Sequence, residues 1–226
     1  MSVPVSGLIT QALDEIGDKD GHRTTRPDML RYYDRVQSVL ATDTQALEVD
    51  AYFDLEANEP RYAYPEDCIQ ITAIRVSRTA TPTSLSDYYW LDEVFEEEYR
   101  TWTWAQRAIG WISTYRARNA WIEFLQNPTQ DIVNGGLLTY ARMSVDVVSE
   151  SQAAVMELPD FMKNHVIEGM KIVARMAGRE RAAANDDWVK WQAKNIDLKT
   201  AITDRSRDRK ASIRPPSFGN MLRGMR

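Results

Sequence analysis

The sequence predicts an α+β fold. About four helices from both chain ends form a bundle that carries an inserted antiparallel β-rich block, barrel- or sandwich-like, and an extended C-terminal arm. Three observations lead there. Apolar residues recur three and four apart near both ends of the 226-residue chain, the spacing that gathers them on one helix face. In the middle the period shortens to two, and β-branched and aromatic residues replace helix formers. Helices precede and follow the strands without alternating with them, which argues against a doubly wound parallel sheet. The expected organisation is a bundle from 1–48 and 157–209, an inserted domain over 49–156, and an arm over 210–226.

Taken in order, Ser6 is the expected cap of a first short helix, with Leu8, Ile9, Ala12, Leu13 and Ile16 on one stripe and Gly17 as its stop. Thr25 and Asp28 have capping-box spacing, and Pro27 suits a first turn, where its missing N–H costs little. The second helix then buries Met29, Tyr32, Tyr33, Val36, Val39 and Leu40 and ends near Ala41–Thr44.

Strand signals follow through "DAYFDLEANEPRYAYPEDCIQITAIRVSR", with a turn at Pro65, Glu66 and Asp67. "SRTATPTSLSD" reads as a loop. Leu91, Phe95, Tyr99 and Trp102 recur at helical spacing, so 91–102 reads as a short helix. Strands return in "GWISTYRAR", "NAWIEFLQNP" and "GLLTYARMSVDVV", and "PTQDIVNGGL" reads as a loop whose Asn134-Gly135-Gly136 is a turn signal. A helix starting at Leu158-Pro159 carries Met162, Val166, Met170, Val173 and Ala177 inward and stops at Gly178. Asn185 is the expected cap of the last helix, which turns Trp188, Trp191, Leu198 and Ile202 inward. Pro215-Pro216 forbids its continuation.

Composition narrows the chemistry. Formal net charge is −5, but Lys171–Arg226 holds 14 Lys+Arg against 6 Asp+Glu while the rest holds 14 against 27. Such asymmetry suggests that the two parts meet different partners. No run approaches the roughly 18 apolar residues that cross a bilayer, and an N-terminus without a basic start gives no expectation of a signal peptide. Cys68 is the single cysteine, which fits a reducing compartment. With only His22 and His165 beside it, a metal site has too few ligands, and no cofactor is expected. No G-x-S-x-G, P-loop or G-x-G-x-x-G occurs.

Three features remain as candidate sites. Asp92, Glu93, Glu96, Glu97 and Glu98 lie beside Phe95, Tyr99 and Trp102, and a carboxylate pair beside an aromatic groove is the chemistry of glycoside cleavage. Glu93 and Glu97 would share a helix face, but so does the solvated side of any amphipathic helix, which is the reading favoured here. Trp90, Trp102, Trp104, Trp111 and Trp121 crowd the middle block, as core, as interface, or as a stacking platform that the acidic 91–98 opposes. The closing "SIRPPSFGNMLRGMR" is basic and carries Phe218, Met221, Leu222 and Met225. An arm that only solubilises, or only binds phosphate, needs no apolar anchors, so a protein partner fits it best.

Several stretches carry a resemblance. "SGLITQALDEIG" with "RPDMLRYYDRVQSVLATDT", the Y-x-x-P-x-D-x-x-x-I-x-x-I pattern in "YAYPEDCIQITAIRV", "ELPDFMKNHVIEGMKIVARMAGR" and "NDDWVKWQAKNIDLKTAI" are similar to the helices and strand of bacteriophage head-to-tail adaptor (connector, neck) proteins, as in short-tailed phages. The resemblance covers nearly the whole chain. It implies a non-enzymatic virion protein, made in the host cytoplasm, that sits in the neck between head and tail. There it would form a homo-oligomeric ring, a dodecamer in the usual case, beneath the portal protein. It would extend the DNA channel and dock the tail nozzle or other tail proteins, with no membrane involved; the acidic bulk of the chain adds the expectation that DNA passes through the channel without specific binding. It further implies that Arg214, Pro215, Pro216, Phe218, Met221, Leu222, Arg223, Met225 and Arg226 engage the portal or a neighbouring subunit. Thr129, Gln130, Asp131, Ile132, Val133, Asn134, Gly135 and Gly136 become a tail-side loop. The alternative is a virion-associated peptidoglycan-cleaving enzyme that uses carboxylates around Glu93 and Glu97.

Overall fold

The computed structural model describes residues 3–18, 20, 22–94, 112–118, 120–149, 154–178 and 180–213, with side chains through 203. It is α+β and divides into two compact units, Leu47–Met143 and the two flanking segments Met1–Ala46 and Ser144–Arg226.

The helical unit contains α1 (Val5–Glu15), α2 (Arg26–Thr44), α3 (Lys163–Ala177) and α4 (Arg181–Ile213). Helix α1 begins one residue before the expected cap. Pro4 stands at the N-cap with no side-chain hydrogen bond, and pairing replaces capping: Pro4 bridges Val155, and the Val5 N–H donates to the Ala154 carbonyl at 2.9 Å. Gly17 ends α1 at φ 74. The Asp18 N–H donates to the Leu13 carbonyl (3.0 Å) and the Gly17 N–H to the Asp14 carbonyl (3.2 Å), a complete Schellman motif. Asp18 then organises the link to α2, accepting from the backbone N–H groups of Thr24 (2.7 Å), Arg23 and His22 (both 2.9 Å). Partial burial works against its charge, but these three donors outweigh that and hold the Asp18 carboxyl below the ordinary aspartate range. Helix α2 starts with the expected Thr25–Asp28 capping box and ends at Thr44.

Helix α3 starts later than the sequence suggests, because Asp160–Met162 forms a 3-10 turn first. Ala177 is exposed; Met162, Val166, Met170 and Val173 are buried as expected. Helix α4 starts earlier, at Arg181 rather than after Asn185. Ala182–Ala184 are strong helix formers, and Ala184 is fully buried, so packing extends the helix backwards. It also runs to Ile213, so 210–213, expected in the arm, are helical. The stop fits Pro215, which disfavours helical geometry at the residue before it.

Three helices meet at Trp191 of α4, which is 1% exposed. Its ring stacks on His165 of α3 (centroids 4.7 Å apart) and on Trp188 (4.6 Å). Its indole N–H donates to the His165 carbonyl at 2.9 Å. The notch that admits it is Gly169, where an added Cβ would lie 2.8 Å from Trp191 and 2.9 Å from Val36 of α2. A polar chain runs alongside: His165 Nε2 pairs with Asn195 Oδ1 (2.7 Å), and Asn195 Nδ2 donates to Asp43 Oδ2 of α2 (2.8 Å). Neither the glycine notch nor this chain is visible in helical periodicity.

Burial pushes the His165 pKa down, against the opposing pull of Asn195 and Glu168 and with a smaller push from Lys194. The neutral form is therefore the folded form. Unfolded chains take up a proton near pH 6.5 and the folded chain does so only below that, so stability falls as pH drops through this window. Urea midpoints measured from pH 8 to pH 5 are expected to decline below about 6.5, and His165→Gln is expected to flatten the decline. Carboxylates with lowered values, Asp18 and Asp28 among them, act only in stronger acid.

The second unit holds two sheets. One has strand order β1-β8-β3-β4, from Glu48–Leu55, Ile132–Arg142, Cys68–Ser77 and Tyr88–Trp90; the other has β2-β7-β6-β5, from Arg61–Ala63, Trp121–Phe124, Thr114–Arg118 and Asp92–Glu93. Among the described strands all pairs are antiparallel except β5–β6, which is parallel. The sheets share one core, with Leu55, Ile74, Val76, Leu138 and Tyr140 from the first facing Tyr115, Ile122 and Phe124 from the second. Two open sheets over a common core make a sandwich rather than a closed barrel. Phe53 is the hub, its ring 5.1 Å from Tyr62 and 6.4 Å from Phe124 across the sheets.

Two expectations fail here. The helix over 91–102 is absent at its start, since Asp92–Glu93 pairs with Thr114–Tyr115 as β5; Leu91 and Val94 are buried on either side of it. Tertiary pairing overrides the local helical spacing. The rest of that segment lies outside the described residues. The loop over 128–137 is also too long, because β8 begins at Ile132. Leu55 pairs with Ile132 and Phe53 with Gly136, so Val133, Asn134 and Gly135 oppose Asp54 alone. Asn134 sits at φ 53, and its N–H donates to Asp54 Oδ1 at 2.7 Å. The Asn-Gly-Gly signal thus marks a bulge inside a strand, where it needs the same left-handed backbone as a turn.

Candidate docking site at the tip of the strand unit

The chain enters and leaves the sandwich side by side, with the Arg142 N–H donating to the Leu47 carbonyl at 2.8 Å. The opposite end, the tip, is built from the end of β1, the segment joining β3 to β4, and the start of β8. Thr129 and Gln130 lie in a bend there, Asp131 Oδ1 accepts from the Ala57 N–H (2.7 Å), and Ile132 to Gly136 belong to β8. Thr129, Gln130 and Ile132 border a cleft of about 220 Å³ between the sheets, floored by Leu55 and Ile112. Tyr89 lines it too; its hydroxyl donates to the Ile112 carbonyl (2.5 Å), and burial pushes its pKa up to about 12.

A second concavity, about 310 Å³, opens on the outer side of the first sheet, lined by Tyr52, Pro82, Thr83, Ser84, Leu85, Tyr88 and Asn134. Alternation along β1 turns Tyr52 outward while Ala51 and Phe53 pack inward. The Tyr52 and Tyr88 rings stand 6.0 Å apart and tilted by 54°. Tyr88 is fixed by its hydroxyl, which donates to the Asn134 carbonyl at 2.6 Å, so the bulge braces the groove. Tyr52 and Leu85 are 53% and 58% exposed, which leaves these two side chains open to a partner.

Two carboxylates bond the backbone of lining residues. Asp54 holds the Asn134 N–H, and Asp87 Oδ2 accepts from the backbone of Thr83 (2.8 Å) and Ser84 (2.9 Å). Those two donors hold the Asp87 carboxyl below the ordinary range, so it stays ionised at neutral pH. Among the described residues none that lines the groove is cationic. Further along this face, Tyr52, Leu137, Arg75 and Trp90 form one register row, with the Arg75 guanidinium 3.9 Å from the Trp90 centroid.

The other sequence candidates fare differently. Asp92 and Glu93 are exposed on β5, not on a helix, so the face shared by Glu93 and Glu97 does not exist at Glu93; Glu96, Glu97 and Glu98 lie outside the described residues. Trp90 is half-buried under Arg75 and Trp121 is 50% exposed, while Trp102, Trp104 and Trp111 lie outside the described residues. Burial, and after it Asp67, pushes the Cys68 thiol up, the opposite of a nucleophile's requirement. Among the described residues no three His, Cys, Asp or Glu gather as a metal site, and no helix is long and apolar enough to cross a membrane. The arm residues Arg214, Pro215, Pro216, Phe218, Met221, Leu222, Arg223, Met225 and Arg226 lie outside the described residues. Sequence reading missed Tyr52, Leu85 and Tyr88 because three separate segments supply them. The signal available was Asp50, Tyr52 and Asp54 alternating outward on one strand.

A family model described as SU10 adaptor protein matches residues 3–216. No curated protein matches the chain.

Proposed function

The chain belongs to the SU10 adaptor protein family, phage structural proteins with a head-to-tail role, and from that premise we propose that it forms a ring beneath the portal, extends the DNA channel and docks the tail. This is the work of a non-enzymatic virion component. The observation that carries the ring is helix α4. It spans 33 residues against 15 for α3, and from Ile196 to Thr203 none of its side chains is buried. Val189 and Ile196, seven apart, are 65% and 69% exposed on it. A helix that outruns its own bundle and shows apolar residues one heptad apart suits a neighbouring subunit. Repeated around a closed ring, such a contact is heterologous.

The C-terminal residues extend the same reading. A basic arm with Phe218, Met221, Leu222 and Met225 has the steering charge and the anchors to engage the portal or a neighbour. The acidic remainder of the chain suits a channel that DNA slides through without adhering. The tip of the strand unit, with Thr129 to Gly136, is the tail-side candidate.

Electron microscopy of the protein mixed with its portal tests this. Full-length chains are expected to appear as a ring stacked on the portal, and chains lacking 214–226 are expected to lose that complex while keeping their far-UV circular dichroism. Portal binding that survives the deletion would remove the arm from the reading.

A further inference from the structure

We propose that the tyrosine groove at the tip of the strand unit receives the Arg214–Phe218 segment of a second copy of this chain. The proposal rests on the reading of the C-terminal residues as a partner-seeking arm, and it assigns that arm a seat.

The groove has the chemistry of an extended, proline-bearing peptide site. Two tilted tyrosine rings 6.0 Å apart, with Pro82 and Leu85 beside them, share an open concavity with the polar residues Thr83, Ser84 and Asn134. Aromatic-lined troughs of this kind take polyproline II segments, whose backbone is already extended and loses little entropy on binding. The Thr83 and Ser84 hydroxyls are engaged with Asp87 and Ser86, so the Tyr52 hydroxyl is the group best placed to meet a backbone that makes no internal hydrogen bonds. Charge selects the sequence. Asp54 and Asp87 each bind the backbone of groove-lining residues, and no described residue of the lining is cationic. The fitting ligand therefore carries prolines, an apolar side chain and an arginine next to them.

The chain contains one such segment. Its nine prolines include a single adjacent pair, Pro215-Pro216, preceded by Arg214 and followed two residues on by Phe218. The segment starts directly after α4 ends at Ile213. Thirteen residues follow Ile213, and at about 3.1 Å each in an extended form they reach roughly 40 Å. A second copy is the occupant that makes the contact repeat around a ring, because arm and groove are different surfaces.

The test uses a fluorescein-labelled peptide covering Ser212 to Arg226, titrated with full-length protein whose own arm is weakened by Pro215→Ala and Pro216→Ala. Saturable binding is expected. Adding Tyr52→Ala or Leu85→Ala is expected to weaken it at least tenfold; both side chains are more than half exposed, so an unchanged melting temperature serves as the fold control. Asp54→Asn is expected to weaken binding less, and only at low salt. Absence of binding, or equal binding by the Tyr52→Ala and Leu85→Ala proteins, overturns the proposal. So does a peptide that binds as well with both prolines replaced, since charge alone would then explain it. A wild-type chain that stays monomeric while excluding the peptide would place the arm in its own groove, and that also overturns the second-copy assignment. Failure here with loss of portal binding on deleting 214–226 leaves the arm reading standing and removes only its seat.

Discussion

Replacing Trp191 by alanine is expected to be among the most destabilising single changes in the helical unit, at about 3–5 kcal/mol. The ring is 1% exposed and packs against His165, Trp188 and the Gly169 notch, so its loss leaves a cavity that three helices border. The His165 carbonyl also loses its indole donor. For a chain of this size each kcal/mol is worth about 2–4 °C, so scanning calorimetry should show the transition of this unit lowered by on the order of 10 °C. Trp191→Phe should recover part of the loss, since it refills the notch but cannot donate. Gly169→Ala approaches the same contact from the other side. Alanine suits a helix better than glycine by about 1 kcal/mol, yet its Cβ would press on Trp191 and Val36, and overpacking costs about 1–3 kcal/mol. A net loss is therefore expected. A Trp191→Ala protein that melts with the wild type would mean the stack does not hold the helices together.

Gly136→Val should damage the strand unit by about 3 kcal/mol or more, at the upper end of overpacking costs. Phe53 pairs with Gly136 across β1 and β8 and lays its ring over it, so a new Cβ would fall inside the ring's space. The backbone is not the obstacle, since Gly136 is not among the residues of positive φ. Phe53 has to swing away, and with it go its contacts to Tyr62 and Phe124 in the other sheet. Urea unfolding of Gly136→Val in wild-type and Phe53→Ala backgrounds separates this from a general intolerance of the site. In the alanine background valine should cost far less, because nothing occupies its space and valine favours strands. Equal costs in both backgrounds would refute the steric account.

The two glycines make the same point about reading a sequence. Gly169 lies in a helical pattern and Gly136 in an Asn-Gly-Gly run, and by local rules the first is a weak spot and the second a turn. In the structure each is the place where a large aromatic ring crosses a neighbouring backbone, and the residue that fills the space is distant in sequence: Trp191 for one, Phe53 for the other. Local signals served well where both partners were local. The Thr25–Asp28 capping box, the Gly17 stop and the turn at Pro65, where the Cys68 N–H returns to the Pro65 carbonyl at 3.0 Å, all lie within five residues of their partners. They failed where pairing came from afar, as at Asp92–Glu93, drawn into β5 by Thr114 and Tyr115.

Sequence alone determined the class of the fold and the order of its parts. Apolar spacing is a property of neighbouring residues, and burying an apolar stripe or face is the strongest demand each segment makes. It also fixed the chemistry of the C-terminal strip, since charge, prolines and anchors are composition. The tertiary structure decided what composition cannot express. It split the strands into two open sheets, set Trp191 into Gly169, and turned the Asn134 bulge into a brace for Tyr88. It assembled a groove from Tyr52, Leu85 and Tyr88, whose neighbours Asn134, Thr83 and Ser84 are held by Asp54 and Asp87. Each of these depends on residues brought together by packing, and only closure of the whole chain places them.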